Sequence, residues 1–456
     1  MSHLANSTSH PAAHASSRQI ERVRRTTLLK NSANARTHSK KQIRKIADAI
    51  DKFGWTSPIL IDENGIVLAG HGRLAAAELL GHEHVPVIRI NDLSEAQKRA
   101  FVLADNRLAL ESGWNRELLS AELGDLAELL PAEGFDISLT GFDVHELDAI
   151  LEDEPLIPAD ESLPDRPTHP VTKLGDVWLL GKHRICCGDA REQTAFAQLM
   201  QSQTAEMIFI DPPWNLRTRE FQGRGAVKHG DFSVGSGEFS RTEFVAFLRR
   251  TLGHCADHSI DGSIHFVCID WRHVAEMLEA GQSVYEELKN ICVWVKTNAG
   301  QGSFYRSQHE LVVVFKKGSA THLNNFELGQ HGRLRSNVWT YAGINAFRAG
   351  RMDELRMHPT VKPVSLVADA IKDCSQRGSI VLDAFLGSGT TVLASEQTGR
   401  RAFGMEIDPA FVDVAITRWQ RATGRDAVLE GTSTTFEEMQ TNPSLRRSLC
   451  FGGNER

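Results

Sequence analysis

A short apolar run at residues 207–210 ends in the tetrapeptide Asp211, Pro212, Pro213 and Trp214. The run suits a buried parallel strand, and open α/β sheets place their ligands at the carboxyl ends of such strands. The two prolines fix their own φ angles and remove two N–H donors, so that the Asp211 side chain and the nearby carbonyls are held rigidly. The segment therefore predicts a rigid group of hydrogen-bond acceptors, which suits an amino group.

An exocyclic amine of adenine or cytosine is a poor nucleophile because its lone pair is delocalised into the ring. If the Asp211 carboxylate accepts one amino hydrogen and the Pro212 carbonyl accepts the other, the nitrogen becomes pyramidal and its developing positive charge is stabilised. Trp214 would stack on the base, because a base inside a duplex must first be flipped out and thereby loses its stacking. These residue types predict transfer of an electrophilic group to a base nitrogen.

A second element, residues 380–394, predicts a strand, a glycine-rich turn containing Gly387 and Gly389, and a helix. The complete dinucleotide-binding pattern is absent, because Val392 stands where a third glycine would be. Glu406 follows the next apolar run, where a carboxylate can accept hydrogen bonds from both ribose hydroxyls of a nucleoside. Because no triphosphate-binding motif is present, the sequence favours a nucleoside such as S-adenosylmethionine.

The order of these motifs resembles that of the β-class amino-methyltransferases of DNA, in which the catalytic tetrapeptide precedes the cofactor loop. The resemblance covers about residues 171–425 and implies a Rossmann-like α/β fold with a circularly permuted motif order and S-adenosylmethionine as methyl donor. It implies adenine-ring contact from Asp189 and ribose contact from Glu406. The remaining cofactor-binding candidates are His358, Pro359, Thr360, Lys362, Asp383, Phe385, Gly387, Ser388, Gly389 and Thr390. Ala384 departs from the family, which often has proline there.

Two arginine-rich and lysine-rich segments, 215–250 and 333–356, predict contacts with double-stranded DNA, because cations there could meet phosphates or guanine edges. A solvated basic surface is the alternative interpretation. The candidate DNA-binding residues are Arg217, Arg219, Arg224, Lys228, Arg333, Arg335, Arg348 and Arg351.

A smaller α+β domain is predicted over residues 26–110. Ser39 and Gln42 begin a helix over 39–53, and Asn64-Gly65 lies in a predicted hairpin. The segment 67–77 resembles the ParB-like fold of chromosome-partition proteins, in which the same turn binds a cytidine nucleotide through several arginines. Here Gly70, Gly72 and Arg73 form a candidate phosphate site with a single cation, and helix packing by the two glycines is the alternative.

The composition supports a multidomain protein of 456 residues with a formal net charge of −7. Residues 111–170 carry 2 Lys+Arg against 16 Asp+Glu and account for this deficit, which leaves the rest of the chain free to hold basic patches. We predict a disordered tail over 1–25, an acidic helical and proline-rich linker over 111–170, and a second tail over 426–456. No signal peptide, membrane span or metal motif is evident, which predicts a cytoplasmic, nucleoid-associated protein, and a homodimer is compatible with the resemblance.

The leading hypothesis is methylation of adenine N6 in DNA. Cytosine N4 is the nearest alternative because it needs the same acceptors, although a serine in place of Asp211 is commoner there. A ParB-like DNA-binding regulatory protein with a vestigial methyltransferase domain is a second alternative, and RNA or protein substrates are a third.

Overall fold

The structure is a computed structural model, and it describes residues 18–151, 163–216, 235, 237–297, 299, 304–326, 334–342, 361–442 and 445. The chain divides into two compact units, residues 1–142 and 143–456. Among the described residues, no helix is both long and apolar enough to cross a membrane.

The first unit is a small α+β domain around a four-stranded sheet. Its strands, in the spatial order β1-β4-β2-β3, are β1 (Ile20–Arg24), β2 (Ile59–Asp62), β3 (Val67–Ala69) and β4 (His84–Ile90). Its helices are α1 (Lys40–Phe53), α2 (His71–Leu79), α3 (Glu95–Glu111) and α4 (Arg116–Leu129). β2 and β3 form the predicted antiparallel pair, and Ile59, Ile61 and Val67 are fully buried. The predicted helix over 39–53 and the hairpin at Asn64-Gly65 are both present, whereas α4 lies beyond the predicted end of the domain at residue 110.

β1 lies inside the range predicted as a disordered tail, so that prediction was wrong for residues 20–24. Four of its five residues are exposed, and Val23, which pairs with Val85, is only half-buried. Backbone hydrogen bonds to β4 hold this edge strand, and such bonds leave no apolar period in the sequence.

The second unit is an α/β domain built on a ten-stranded sheet. Its strands are β5 (Val177–Leu180), β6 (His183–Cys187), β7 (Ala205–Ile210), β8 (Ser259–Ile269), β9 (Glu287–Val295), β10 (His309–Lys316), β11 (Val338–Thr340), β12 (Ile380–Asp383), β13 (Arg401–Glu406) and β14 (Val428–Leu429). Their spatial order is β11-β9-β10-β8-β7-β12-β13-β6-β5-β14. The five central strands, β8 to β6, are mutually parallel, which confirms the Rossmann-like prediction.

Helices cover both faces of this sheet. They are α5 (Val144–Ile150), α6 (Gln193–Met200), α7 (Arg241–Asp257), α8 (Val274–Gln282), α9 (Val364–Cys374), α10 (Thr390–Gln397), α11 (Pro409–Thr423) and α12 (Phe436–Thr441). Along β7, Ile208 and Ile210 pack in the cluster formed with α6, α7 and α8, whereas Met207 and Phe209 pack in the cluster formed with α9. Because successive side chains point to opposite faces, a strand covered on both sides is apolar throughout, which explains the uninterrupted run before Asp211.

The carboxyl-terminal part of the described chain belongs to this domain, so the predicted tail over 426–456 was wrong at least as far as residue 442. β14 pairs antiparallel with β5. Phe436 and Met439 of α12 are buried, and the Phe436 ring meets Trp178 edge-on with centroids 5.3 Å apart. Two apolar residues three apart within a polar stretch gave too short a pattern to predict a docked helix.

The acidic region over 111–170 contains helices, as predicted, but its last described helix packs on the second unit. The Asp148 carboxylate of α5 accepts hydrogen bonds from Arg400 Nη1 and Nη2 at 2.6 and 3.0 Å. The Arg400 side chain is fully buried. Residues 143–151 are therefore part of the second unit rather than a linker.

Candidate active site at the carboxyl edge of the sheet

Four acidic residues lie where parallel strands end at one edge of the sheet. Asp211 follows β7, Asp383 and Glu406 are the last residues of β12 and β13, and Asp189 comes two residues after β6. Because β6, β13, β12 and β7 are neighbours in that order, the sheet brings these four side chains to a single edge. The sequence named all four as candidate site residues, and the order of the strands brings them to this edge.

The tetrapeptide after β7 holds Asp211 with its two carboxylate oxygens in different environments. Oδ2 accepts a hydrogen bond from Lys362 Nζ at 2.5 Å, whereas Oδ1 is buried and has no hydrogen-bond partner among the described residues. Trp214 Nε1 is likewise buried and makes no hydrogen bond of normal geometry among the described residues, although it lies close enough to the Asp211 carboxylate to lower the pKa of that group. Lys362 Nζ lies 5.2 Å from the centroid of a Trp214 ring. Asn215 fixes the chain that follows by exchanging two hydrogen bonds with the backbone of Phe239. A buried acceptor without a partner is costly, so Oδ1 is a place where a donor is expected to bind.

Lys362 joins Asp211 to a second buried carboxylate, that of Glu310. The distance from Lys362 Nζ to Glu310 Oε2 is 3.1 Å, and Lys296 Nζ lies 2.5 Å from Glu310 Oε1. The Lys362 and Glu310 side chains are each 5% exposed. Two ammonium groups therefore balance two carboxylates in a row of buried charges that extends from the end of β9 through β10 to the end of β7.

The pKa values of Asp211, Glu310 and Lys362 follow from burial and from the ion pairs. Burial raises the pKa of Asp211; Lys362 opposes that rise and Glu310 adds to it. Burial would also raise the pKa of Glu310, but Lys362 and Lys296 together hold it below its ordinary value. The two carboxylates raise the pKa of Lys362 despite its burial, so that the ammonium form persists.

The glycine-rich turn after β12 is shaped by Asp383, whose Oδ1 accepts from the Phe385 N–H at 3.0 Å and Oδ2 from Thr391 Oγ1 at 2.6 Å. Gly387 and Gly389 have φ angles of 54° and 86°, in the left-handed region that favours glycine. A Cβ on Gly389 would lie 2.7 Å from the Ala415 Cβ, so α11 also excludes a side chain there. The turn thus presents backbone closely to whatever binds at this edge.

Glu406 is fixed by backbone donors. Its Oε2 accepts from the Gly387 N–H at 2.8 Å and its Oε1 from the Asp408 N–H at 2.9 Å. Each oxygen keeps further acceptor capacity, which two ribose hydroxyls could use. Burial raises the pKa of Glu406 to about 7, against the lowering effect of these N–H donors, and burial likewise raises the pKa of Asp383 to about 7.

Asp189 lies at the same edge but is already paired. Arg191 Nε and Nη2 donate to its two oxygens at 2.6 to 3.0 Å. Burial raises the pKa of Asp189, but these bonds to Arg191 leave it below its ordinary value. The implied adenine contact would therefore be made by a carboxylate that is held in place by a neighbouring arginine.

Other candidate cofactor residues divide into three groups. Phe385 packs against the core cluster beside α7, and Ser388 accepts hydrogen bonds from Arg418 through its carbonyl and hydroxyl oxygens. Thr390 Oγ1 donates to the Lys362 carbonyl at 3.4 Å and so ties the glycine turn to the buried charges. His358, Pro359 and Thr360 lie outside the described residues.

Most of the candidate DNA-binding residues also lie outside the described part of the chain, namely Arg217, Arg219, Arg224, Lys228, Arg333, Arg348 and Arg351. Arg335 is described, and its guanidinium donates to Asp373 Oδ2 at 2.9 Å and to the Tyr341 hydroxyl at 3.0 Å. Its side chain is only 14% exposed. Arg335 therefore holds the domain together, and we do not retain it as a DNA contact.

The sequence analysis gave no role to Glu310 or Lys296, although both lie within residues 171–425, which the family resemblance covers. The available signal was a charged residue at the start of an otherwise apolar strand, because Glu310 precedes the run 311–315. A residue of this kind is usually solvated at a strand end, so its burial between two lysines could not be deduced from spacing alone.

The first unit has a cleft of about 390 Å³ at the amino terminus of α2, lined among others by Gly70, His71, Gly72 and Arg73. A Cβ on Gly72 would lie 2.9 Å from Ile46 Cδ1, so this glycine does serve helix packing. The Arg73 guanidinium lies over Gly70, and burial lowers the pKa of Arg73 while Asp105 opposes this effect. The cleft thus combines helix-terminal N–H groups with two half-buried arginines, Arg73 and Arg36, whereas the sequence had offered Arg73 alone.

Known families match three parts of the chain. The DNA methylase family model matches residues 205–417, the ParB-methyltransferase HTH domain matches 117–174, and the ParB N-terminal domain matches 9–107. The HTH match lies in the region that we had interpreted as a linker.

Individual proteins resemble the same parts. The ParB-like nuclease domain-containing protein YnaK of Escherichia coli (strain K12) is 52% identical over 66 residues, which are 14% of this chain and 76% of that protein. Type II methyltransferase M2.DpnII of Streptococcus pneumoniae is 28% identical over 242 residues, covering 49% of this chain and 85% of the relative. The match with the crystal structure of M1.HpyAVI covers 51% of this chain and 96% of that chain, at 19% identity and a TM-score of 0.37.

The family matches coincide with the geometry described above, because the methylase match spans Asp211, Glu310, Lys362 and Glu406. The intact set of buried carboxylates and the glycine turn agree with a functional site. The chain carries a DNA methylase domain of the N6/N4 amino-methyltransferase type over residues 205–417, with the β-class order of motifs, and an amino-terminal ParB-like domain.

Proposed function

We propose that the protein is a site-specific methyltransferase that transfers the methyl group of S-adenosylmethionine to N6 of adenine in double-stranded DNA. The observation that carries this proposal is the pair of oxygens on Asp211. Oδ2 is held by Lys362, and Oδ1 is buried and lacks a hydrogen-bond partner among the described residues. An amino hydrogen of a flipped-out base would satisfy Oδ1.

The residues at this edge fit the methyl donor of the family. The Gly387 and Gly389 backbone permits close approach, and the Glu406 carboxylate has capacity left for two ribose hydroxyls. S-adenosylmethionine supplies an electrophilic methyl group on a sulfonium sulfur. Asp189 would meet the adenine ring of the cofactor, and the segment from His358 to Lys362 would lie towards its methionine part.

Asp211 would act by accepting one amino hydrogen while the Pro212 carbonyl accepts the other. The nitrogen lone pair would then face the sulfonium methyl group; as the methyl group passes to nitrogen, sulfur would keep the C–S electrons as a neutral thioether, and the surplus proton on nitrogen would pass to the Asp211 carboxylate or to water. Because positive charge develops on this nitrogen during the reaction, a fixed carboxylate stabilises the transition state more than the ground state. Trp214 would stack on the flipped base.

Adenine is proposed over cytosine because the tetrapeptide begins with aspartate, whereas serine is commoner in N4 enzymes. Cytosine N4 remains the alternative, because the same acceptors serve either amine. Nucleoside digestion of treated DNA distinguishes the two directly. N6-methyladenine is the expected product, and label found only in N4-methylcytosine would overturn the base assignment.

DNA contacts are proposed for the basic residues of the two segments around 217–228 and 333–351, with Arg335 withdrawn. The ParB-like unit is proposed to add non-specific affinity through Gly70, Gly72 and Arg73, which would place the protein on the nucleoid. A homodimer is retained as a proposal from the family resemblance. Salt-dependent binding to a duplex tests the DNA contacts, because each phosphate neutralised steepens the dependence.

A further inference from the structure

We propose that Lys362 is a positioning residue for Asp211 and that Glu310, itself held by Lys296, keeps Lys362 in place. This inference rests on the proposed function and replaces the cofactor contact that the family resemblance implied for the Lys362 side chain. The contacts that carry it are the 2.5 Å bond from Lys362 Nζ to Asp211 Oδ2 and the 3.1 Å approach to Glu310 Oε2.

Burial strengthens these contacts and keeps them in place. With both the Lys362 and Glu310 side chains only 5% exposed, little water can screen the charges or replace either partner. The bond to Oδ2 fixes the rotation of the Asp211 carboxylate, and Oδ1 is then the oxygen that faces the incoming amine. Lys362 takes no part in bond making: it keeps its proton and neither gives nor receives electrons.

The same ammonium group keeps Asp211 in the form that can accept. Burial and Glu310 both raise the pKa of Asp211, and Lys362 is the main opposing influence. A protonated Asp211 would present a hydroxyl to the amine and lose its value as an acceptor. Removing Lys362 should therefore both loosen the carboxylate and make it harder to ionise.

Full-length Lys362→Met tests this proposal, with Lys362→Arg as the conservative comparison. We expect the turnover number at neutral pH to fall at least tenfold and the acidic limb of the kcat profile to move up by about 1 to 3 pH units, the usual effect of one nearby opposite charge. The KM for S-adenosylmethionine should change little, and Lys362→Arg should restore part of both effects.

A double-mutant cycle separates positioning from general damage. Lys362→Met leaves Glu310 with only Lys296, so adding Glu310→Gln should raise the melting temperature of the single variant while leaving turnover low. An unmoved acidic limb together with a normal kcat in Lys362→Met would overturn the proposal. A normal limb with a raised KM for the cofactor would return Lys362 to a cofactor contact. If the wild-type protein did not methylate DNA at all, the proposed function itself would be refuted.

A separate observation concerns two exposed aromatic rings in the loop between β9 and β10. Phe304 and Tyr305 are 87% and 82% exposed, and their rings meet edge-on with centroids 4.6 Å apart. The loop is closed at its base by hydrogen bonds between Lys296 and Gln308, and Arg306 Nη2 donates to the Ala299 carbonyl at 2.8 Å. This base adjoins Glu310, so the loop rises from the edge of the sheet that holds Asp211.

We infer that Phe304 and Tyr305 contact the base stack of the substrate duplex next to the flipped nucleotide. This inference also rests on the proposed function. Aromatic side chains stack on any base because every base has a π-face, so two adjacent exposed rings are suited to this contact. Rings at this edge could compensate for the stacking that the duplex loses on flipping.

Phe304→Ala and Tyr305→Ala test this contact, with Trp114→Ala, an exposed aromatic of the first unit, as control. The probe is a duplex carrying the methylation motif with 2-aminopurine at the target position; the motif is first found by long-read sequencing of plasmid from an expressing host. We expect each variant to bind this duplex roughly tenfold more weakly than the wild type and to change the 2-aminopurine fluorescence less. The loss of binding should be smaller when the target base is mismatched. Unchanged binding and fluorescence in both variants would overturn the inference, whereas a change in cofactor affinity alone would assign the rings to the other substrate.

Discussion

Asp148 and Arg400 form a two-pronged ion pair between helix α5 and the end of the α10–β13 connection, with oxygen–nitrogen distances of 2.6 and 3.0 Å. Arg400 is fully buried and Asp148 nearly so. Arg377 also approaches Asp148, at 3.5 Å. The methyltransferase unit therefore begins before its first strand, at about residue 143 rather than at residue 171.

The first prediction is that Asp148→Asn lowers the free energy of unfolding by about 3 to 5 kcal/mol, because it leaves a buried guanidinium without its counter-charge. Urea denaturation of the full chain measures this. Asp426→Asn removes an exposed carboxylate and should change stability by less than about 0.5 kcal/mol. If both variants were equally stable, Arg400 would not depend on α5. A chain that begins at residue 143 should keep the stability that the Asp148–Arg400 pair contributes, whereas a chain that begins at residue 171 should lose it.

The second prediction concerns the pH dependence of cofactor binding. Burial raises the pKa of Glu406 to about 7, so the carboxylate proposed to accept hydrogen bonds from the ribose hydroxyls becomes protonated as pH falls from 8 to 6. The affinity for S-adenosylmethionine should therefore fall across this window, by up to about tenfold per pH unit below 7.

Calorimetry at several pH values checks the second prediction, with Glu406→Gln as the variant that cannot ionise. Glu406→Gln should bind roughly tenfold more weakly at pH 8, since a charge-assisted bond is worth about 1.5 to 3 kcal/mol, and its affinity should depend less on pH. The pKa of Asp383 is also raised to about 7, so the pH dependence of cofactor binding is measured in Asp383→Asn as well, to show which of the two carboxylates causes it. Equal affinity and equal pH slopes in wild type and Glu406→Gln would remove Glu406 from the ribose site.

The third prediction is that Gly389→Ala weakens both cofactor binding and stability. The added Cβ would lie 2.7 Å from Ala415 Cβ, and the φ angle of 86° is strained for alanine. Adding Ala415→Gly should relieve the contact but not the backbone strain, and so should restore only part of the melting temperature. A Gly389→Ala protein with unchanged melting temperature and cofactor affinity would contradict the geometry of this turn.

The fourth prediction concerns the ParB-like unit. If Arg73 neutralises one phosphate, Arg73→Ala should reduce the slope of log K against log salt concentration by about 1 for non-specific duplex binding. Arg73→Lys keeps the charge and should keep most of the slope, while Arg99→Ala controls for loss of an exposed cation elsewhere in the unit. The methylated base should be the same in all three. Tight cytidine triphosphate binding that Arg73→Ala abolishes would show instead that the cleft is a nucleotide site.

The sequence predicted the parts of the fold that depend on local pattern. The apolar run before Asp211, the glycine turn after β12 and the carboxylate at the end of β13 could each be found because parallel strands, turns and helix starts have local signatures. The hairpin around Asn64-Gly65 followed in the same way.

The sequence could not show what depends on distant partners. β1 is held by backbone bonds to β4, and α12 is held by Phe436 against Trp178, so neither has a long apolar period of its own. The pairing of Lys362 with Asp211, 151 residues away, and with Glu310 is likewise a product of tertiary structure. Arg335 was misplaced for the same reason, because an arginine-rich segment does not reveal which guanidinium is already bound to Asp373.

In the proposed reaction, Asp211 Oδ1 accepts a hydrogen bond from the amino group of adenine in the transition state. The most direct measurement is nucleoside mass spectrometry of DNA treated with isotope-labelled S-adenosylmethionine and either the wild type, Asp211→Asn or Asp211→Ala, with cofactor affinity measured in parallel. We expect labelled N6-methyladenine from the wild type, and a loss of at least about a hundredfold in rate in both variants while they still bind the cofactor. Near-normal turnover in either variant, or label found only in N4-methylcytosine, would contradict it.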